Sequence, residues 1–167
     1  MNIALRKNSP VEECAHVIAL EEVADPSLRE LIAYWETKRA GRDMPLREEI
    51  VPTAFPRLMP RMFVIRVEPG PAFIYSLVGN ANIEAHGGNY TGMNVRDLDR
   101  KSPGYGATVH RLYTSIVEGR RPYAARGSLQ FVNRGFCSFT SIYLPLAAAD
   151  GTVTHILGAA AYEVGTR

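Results

Sequence analysis

Leu28 to Val67 reads LRELIAYWETKRAGRDMPLREEIVPTAFPRLMPRMFVIRV: an amphipathic helix, a proline-punctuated connector and an apolar strand, in that order. Leu28, Leu31, Ile32 and Trp35 recur at i, i+3, i+4 and i+7, which puts them on one helical face. Arg29, Glu36, Lys38 and Arg39 fall on the opposite face and should meet water. Asp25-Pro26-Ser27 precedes the helix, and proline suits a first turn because its missing N–H has no helical partner there. Ser27 and Glu30 have the spacing of a capping box. Gly41 is placed to end the helix in the left-handed conformation. Pro45, Pro52, Pro56 and Pro60 then allow only one or two helical turns at a time. Nothing in this stretch resembles catalytic machinery. It reads as a cap and lead-in that delivers the chain to a sheet.

Beyond it, Met62–Val67 and Ala72–Val78 are rich in Phe, Ile, Val and Tyr, as a pleated sheet favours. The short turn Glu68-Pro69-Gly70-Pro71 makes them an antiparallel hairpin. Between Gly79 and Pro103 glycines and asparagines interrupt short helical turns. A longer helix spans Pro103–Glu118, with Val109, Leu112, Tyr113 and Ile116 as its apolar stripe. Three strands follow, Tyr123–Phe131, Phe136–Leu146 and Thr152–Val164, joined by the hairpin sequences Asn133-Arg134-Gly135 and Ala149-Asp150-Gly151. Upstream of the leading helix, Val17-Ile18-Ala19-Leu20 is a short apolar run between glutamates, and periodicity does not separate a strand from a partner-binding helical turn there.

Composition narrows the function classes. Nineteen basic and 17 acidic residues give a net charge of +2, too balanced for nucleic acid or an anionic membrane to be expected as partner. A hydrophobic share of 46% supports a real core, yet no apolar run is long enough to span a bilayer. MNIALRKNSPVEE lacks the apolar centre of a secretory signal. Cys14 and Cys137 form no CxxC pattern and no disulfide framework. A cytoplasmic setting is the expectation.

The element order, helix, two strands, short helices, longer helix, three strands, resembles a PAS domain. Individual residues resemble those of short, stand-alone bacterial PAS proteins: Tyr34-Trp35 in the leading helix, then Gly41-Arg42 and Pro45-x-Arg47. Leu58-Met59-Pro60 precedes the first strand, Val78-Gly79 ends the second, Thr91-Gly92 makes a turn and Leu144-Pro145-Leu146 lies in the fourth strand. The likeness covers about residues 27–160, and its strength lies in the order of these short motifs rather than in any one of them. It implies an α+β fold: a five-stranded antiparallel sheet with short helices on one face, residues 61–167, preceded by a helical extension, residues 1–60. It also implies a sensory or interaction module, with no particular ligand, because fold does not fix function.

Candidate chemistry is sparse. Haem-binding PAS proteins use a histidine in the longer helix as axial ligand, and His110 lies there, but on the flank of the apolar stripe. Flavin-binding photosensor PAS domains carry a reactive cysteine in the middle segment, where Gly88–Met93 has none. His86 and His155 have no second metal-type residue at a useful spacing, and His16 defaults to the surface. No Gly-x-Ser-x-Gly elbow or phosphate-cradling loop occurs. No catalytic residue, metal or cofactor is therefore expected.

The aromatic residues are more telling. Phe73, Tyr75 and Leu77 alternate on one face of the second strand, and Tyr123, Leu129 and Phe131 share a face of the third with small Ala125 and Gly127 between them. Large and small side chains mixed on an inner face leave room for a ligand, and tyrosine hydroxyls can orient it. The expected lining is Phe73, Tyr75, Leu77, Tyr105, Val109, Leu112, Tyr113, Leu129 and Phe131. The inward parity of the last two strands stays open. Leu28, Leu31, Ile32, Tyr34 and Trp35 are expected at an interface, as a cap on the sheet or in a homodimer. The resulting expectation is a non-catalytic sensor or adaptor that binds a small molecule, a signalling protein or both. A haem or other cofactor-based sensor and a small enzyme using the same cavity are the alternatives.

Overall fold

The structure, a computed structural model, describes residues 14–165, with the Phe131 side chain left outside that description. The start of the expected extension, residues 1–13, therefore also lies outside the described residues. The elements in chain order are β1 (Ala15–Ile18), α1 (Pro26–Arg39), β2 (Met62–Glu68), β3 (Ala72–Val78), α2 (Asn80–His86), α3 (Tyr105–Gly119), β4 (Tyr123–Leu129), β5 (Arg134–Ala147) and β6 (Val153–Val164). All paired strands run antiparallel, in the order β1-β4-β5-β6-β2-β3. The fold is α+β, as the residues imply, but the sheet has six described strands rather than five. The sixth is β1, which pairs Ala15 with Gly127 and Ile18 with Ala124. The ambiguous apolar run before the leading helix is thus partly a strand, and it widens the sheet at the β4 edge.

Helix α1 begins two residues earlier than in the capping-box reading. Asp25, not Ser27, is the N-cap: its carboxylate accepts the Leu28 N–H at 3.0 Å. Pro26 decides this, because proline at the first helical position places the cap on the residue before it. Arg61 adds an ion pair to the same carboxylate at 3.5 Å. Ala40 and Gly41 both take the left-handed conformation and end the helix.

The sheet is a single wall with a core on each side. On the outer side, Leu28, Leu31 and Trp35 of α1 are buried with Met62, Val64, Ile142, Leu144, Leu157 and Ala159. The Trp35 Nε1–H donates to the Pro145 carbonyl at 2.9 Å and so fixes the helix across β5. On the inner side, α2, the turns after it and α3 cover Phe63, Ile65, Tyr75, Ala125, Tyr143 and Ile156. The parity that the sequence left open is therefore settled: Tyr143 and Ile156 face inward, Ile142 and Leu157 outward. Gly158 lies on the inner face between Tyr143 and Phe63. A Cβ there would come within 2.0 Å of Phe63 Cε2, so the ring lies over bare backbone that any larger residue would fill.

Strand β3 carries a bulge. Val64 pairs with Leu77, but Ile65 pairs with Tyr75, leaving Ser76 as the extra residue. An extra residue reverses the in–out alternation beyond it. Phe73 and Tyr75 consequently point into the core, whereas Leu77 is 48% exposed.

Candidate functional site

A cavity of about 100 Å³ lies between α3 and the inner face of the sheet. A single water needs roughly 10–15 Å³ of such space, so the cavity can take a small molecule. Helix α3 supplies Tyr105, Thr108, Val109, Leu112 and Tyr113, and the sheet supplies Phe63, Tyr75, Ala125, Leu129, Phe139, Ser141 and Tyr143. His86, at the end of α2, Tyr90 and Tyr162 complete that wall, while Ala15, His16 and Val17 of β1 border it at the other edge. β1 can approach because residue 127 is glycine: a Cβ there would be 2.1 Å from the Cys14 carbonyl oxygen.

Of the nine residues expected to line this space, the structure brings six to it: Tyr75, Tyr105, Val109, Leu112, Tyr113 and Leu129. Leu77 is a correction, turned to solvent by the bulge at Ser76. Phe73 is fully buried but does not line the cavity. It is packed edge-on against Tyr113 at 5.5 Å and His110 at 5.2 Å, nearer the hairpin turn. Phe131 belongs to the residues whose side chains lie outside the description.

The leading-helix residues are also redistributed. Leu28, Leu31 and Trp35 are spent within the chain, buried under 3% exposure against the sheet, so they act as the cap and are not available to a partner. Ile32 is half-buried beside them. Tyr34 pins the connector: its ring meets Phe55 edge-on at 4.9 Å, and its hydroxyl accepts the Val51 N–H at 3.2 Å.

Six of the protein's eight tyrosines line the cavity. Their rings meet edge to face, Tyr75 with Tyr90 at 4.7 Å and with Tyr113 at 6.4 Å. Such contacts set the positive ring edge against the negative face of the neighbour. The Tyr75 and Tyr113 hydroxyls are hydrogen-bonded at 3.0 Å. The Tyr162 hydroxyl donates to Asn82 Oδ1 at 2.6 Å, and buried Asn82 donates in turn to the Met62 carbonyl at 2.8 Å. Burial raises the pKa of every one of these phenols, Tyr75, Tyr105 and Tyr113 strongly. Tyr143 is pushed up to about 12, its hydrogen bond with Ser141 working against burial. All six are therefore neutral hydroxyls at physiological pH. His86 is held down at about 4 by burial first and by the Lys101 charge second, so it too is neutral. The Lys101 ammonium lies 5.0 Å from the Tyr90 ring centroid and is not part of the cavity wall.

His110 does not turn toward this space. Its Nε2 is within hydrogen-bond distance of the Pro71 carbonyl at 3.0 Å, which ties α3 to the β2–β3 turn. The axial-ligand alternative for His110 is thereby opposed by geometry. Among the described residues no three His, Cys, Asp or Glu side chains gather to hold a metal ion. None of their helices is long and apolar enough to cross a membrane.

Tyr90, Tyr143, Tyr162, His86, Thr108 and Ser141 were not legible as site residues. Ser141 and Tyr143 are two apart on β5 and share a face, which is a usable signal once the inward parity is known. Tyr90 and His86 come from the irregular middle segment, where no period points to them.

A single antiparallel sheet with a helix-walled cavity on one face defines a class of small α+β domains. The PAS domain family model matches residues 23–161, and the chain belongs to the PAS domain family. Among solved structures it is similar to the PAS domain from Bordetella pertussis BvgS. That match has 17% identity and a TM-score of 0.50, covering 65% of this chain and 79% of that one. It is also similar to a sensory box sensor histidine kinase from Vibrio cholerae, at 12% identity and a TM-score of 0.47, covering 68% of this chain and 92% of that one. No curated protein matches the sequence.

Proposed function

We propose that this PAS domain is a non-catalytic sensory module that binds a small molecule in the tyrosine-lined cavity and passes the state of that cavity to a signalling partner through its surface. The observation that carries this reading is the cavity itself, about 100 Å³ between α3 and the sheet. Its hydroxyls are held neutral and hydrogen-bonded, which suits orienting a ligand rather than reacting with it. The surface keeps exposed apolar side chains at Leu77, Phe136 and Val164 for partner contact. A homodimer and a cytoplasmic location complete the proposal.

Native mass spectrometry of the protein as purified from cells tests it. Wild type should carry a retained small molecule, and Ala125→Leu, which fills the cavity from the sheet side, should lose that mass while staying folded. A wild type without retained mass, whose cavity amides also stay unmoved when cell extract is titrated in, overturns the ligand reading.

A further inference from the structure

We infer that the cavity selects a small, uncharged ring compound and rejects ions of the same size. This rests on the ligand-binding reading above and adds the chemical class. No Asp, Glu, Lys or Arg lines the cavity, and the nearest cation, Lys101, stands outside the wall 5.0 Å from the Tyr90 ring, so a carboxylate or an ammonium entering it would touch no counter-charge directly. An unpaired charge taken out of water is strongly disfavoured. Nor does the protein need a polar ligand to complete its own bonding: among the described residues no buried side-chain nitrogen or oxygen lacks a hydrogen-bond partner. Affinity must then come mainly from apolar contact. The wall already shows which shape it favours. Tyr75 meets Tyr90, Tyr113 and Phe63 edge to face at 4.7 to 6.4 Å, Phe63 meets Tyr143 likewise at 5.9 Å, Tyr113 and Tyr143 are tilted at 5.8 Å, and a planar ring continues that arrangement. Size sets an upper bound: at about 100 Å³ the space is smaller than the roughly 150 Å³ apolar cavity that holds benzene, so a single ring is the most it takes, and only with the wall giving slightly. One hydroxyl on the ring is tolerated, since it can donate to a phenol oxygen whose lone pair stays free when its own proton is committed.

The test is an amide NMR titration of the full chain near neutral pH with benzyl alcohol, benzoate and benzylammonium, which share one ring and differ in charge. Benzyl alcohol should move the amides of Thr108, Val109 and Ser141 and bind at least about tenfold more tightly than either ion. Ala125→Leu should abolish those shifts; if it does not fold, Thr108→Leu fills the same space from the helix side. Benzoate or benzylammonium binding there as tightly as the alcohol overturns the class while leaving a ligand site in place. If none of the three moves those amides, the class falls, and the ligand site stands or falls separately on the retained-molecule measurement.

Discussion

Adding one methyl group at Gly158 should both destabilise the fold and intrude on the cavity. Gly158 is on the inner face of β6, paired with Phe63 on one side and Tyr143 on the other. A Cβ would lie 2.0, 2.1 and 2.7 Å from Phe63 Cε2, Cζ and Cδ2. Carbon atoms at rest are about 3.5–4.0 Å apart, so the ring must retreat by more than an ångström. It cannot do so sideways. Tyr75 and Tyr143 hold it at centroid distances of 6.4 and 5.9 Å, and Phe63 is buried. The free space beside it is the cavity it lines. Overpacking of this kind costs about 1–3 kcal/mol. Replacing glycine by alanine in a regular element returns about 0.5–1 kcal/mol through the unfolded chain. An approach as close as 2.0 Å takes the upper half of the overpacking range, about 2–3 kcal/mol, so Gly158→Ala should lose about 1–2.5 kcal/mol net, and at this chain length each kcal/mol lowers Tm by about 2–4 °C. Urea denaturation should show a lower midpoint at unchanged slope. In a Phe63→Leu background the smaller side chain relieves the clash, so the two changes should couple by at least about 0.5 kcal/mol. A variant as stable as wild type, or strictly additive effects, would refute the account of Phe63 lying over Gly158.

Two further outcomes follow from the site and the bulge. His86 has a folded pKa of about 4 against an ordinary 6.5, so between those values the unfolded chain binds a proton that the folded chain refuses. Its contribution is fully present above pH 6.5 and is lost as the pH falls toward 4, at a slope approaching about 1.4 kcal/mol per pH unit. His86→Gln should flatten the stability curve between pH 6.5 and 4.5 in denaturant titrations, and parallel curves for the two proteins would contradict the burial of a neutral ring. In β3, Phe73→Ala should cost about 3–5 kcal/mol, whereas Leu77→Ser should stay within about 0.5 kcal/mol. Equal losses in thermal or urea unfolding would put Leu77 back in the core.

Where one face of an element is buried and the other wet, the sequence reported it well. The α1 and α3 stripes are of this kind, and their positions were legible to within a few residues; the β2–β3 hairpin, whose first strand is buried on both faces, was legible from its turn instead. Strands β5 and β6 are buried on both faces over much of their length. That erases the alternation from which facing is read, so Tyr143 and Tyr162 stayed hidden. The Ser76 bulge is a property of strand pairing, and nothing local in Phe73-Ile74-Tyr75-Ser76-Leu77 announces it. The Asp25 cap was obscured by Ser27, which has the right chemistry two residues too late. The cavity was only partly legible because its wall is assembled from residues on eight separate elements and the turn that carries Tyr90.

The two-sided burial of β5 has a consequence for how this sequence can diverge. Ser141 and Tyr143 face the cavity, while Ile142 and Leu144 lie beneath α1. A shift by one residue along the strand would exchange the two sets, because side chains alternate with period two. The tyrosine hydroxyl and the serine would then lie against α1, and two branched aliphatics would close the cavity. Substitutions at these four positions can be tried one at a time. A single insertion or deletion between Ser138 and Ser141 changes all of them together, so this short span should accept changes of residue identity but not of length.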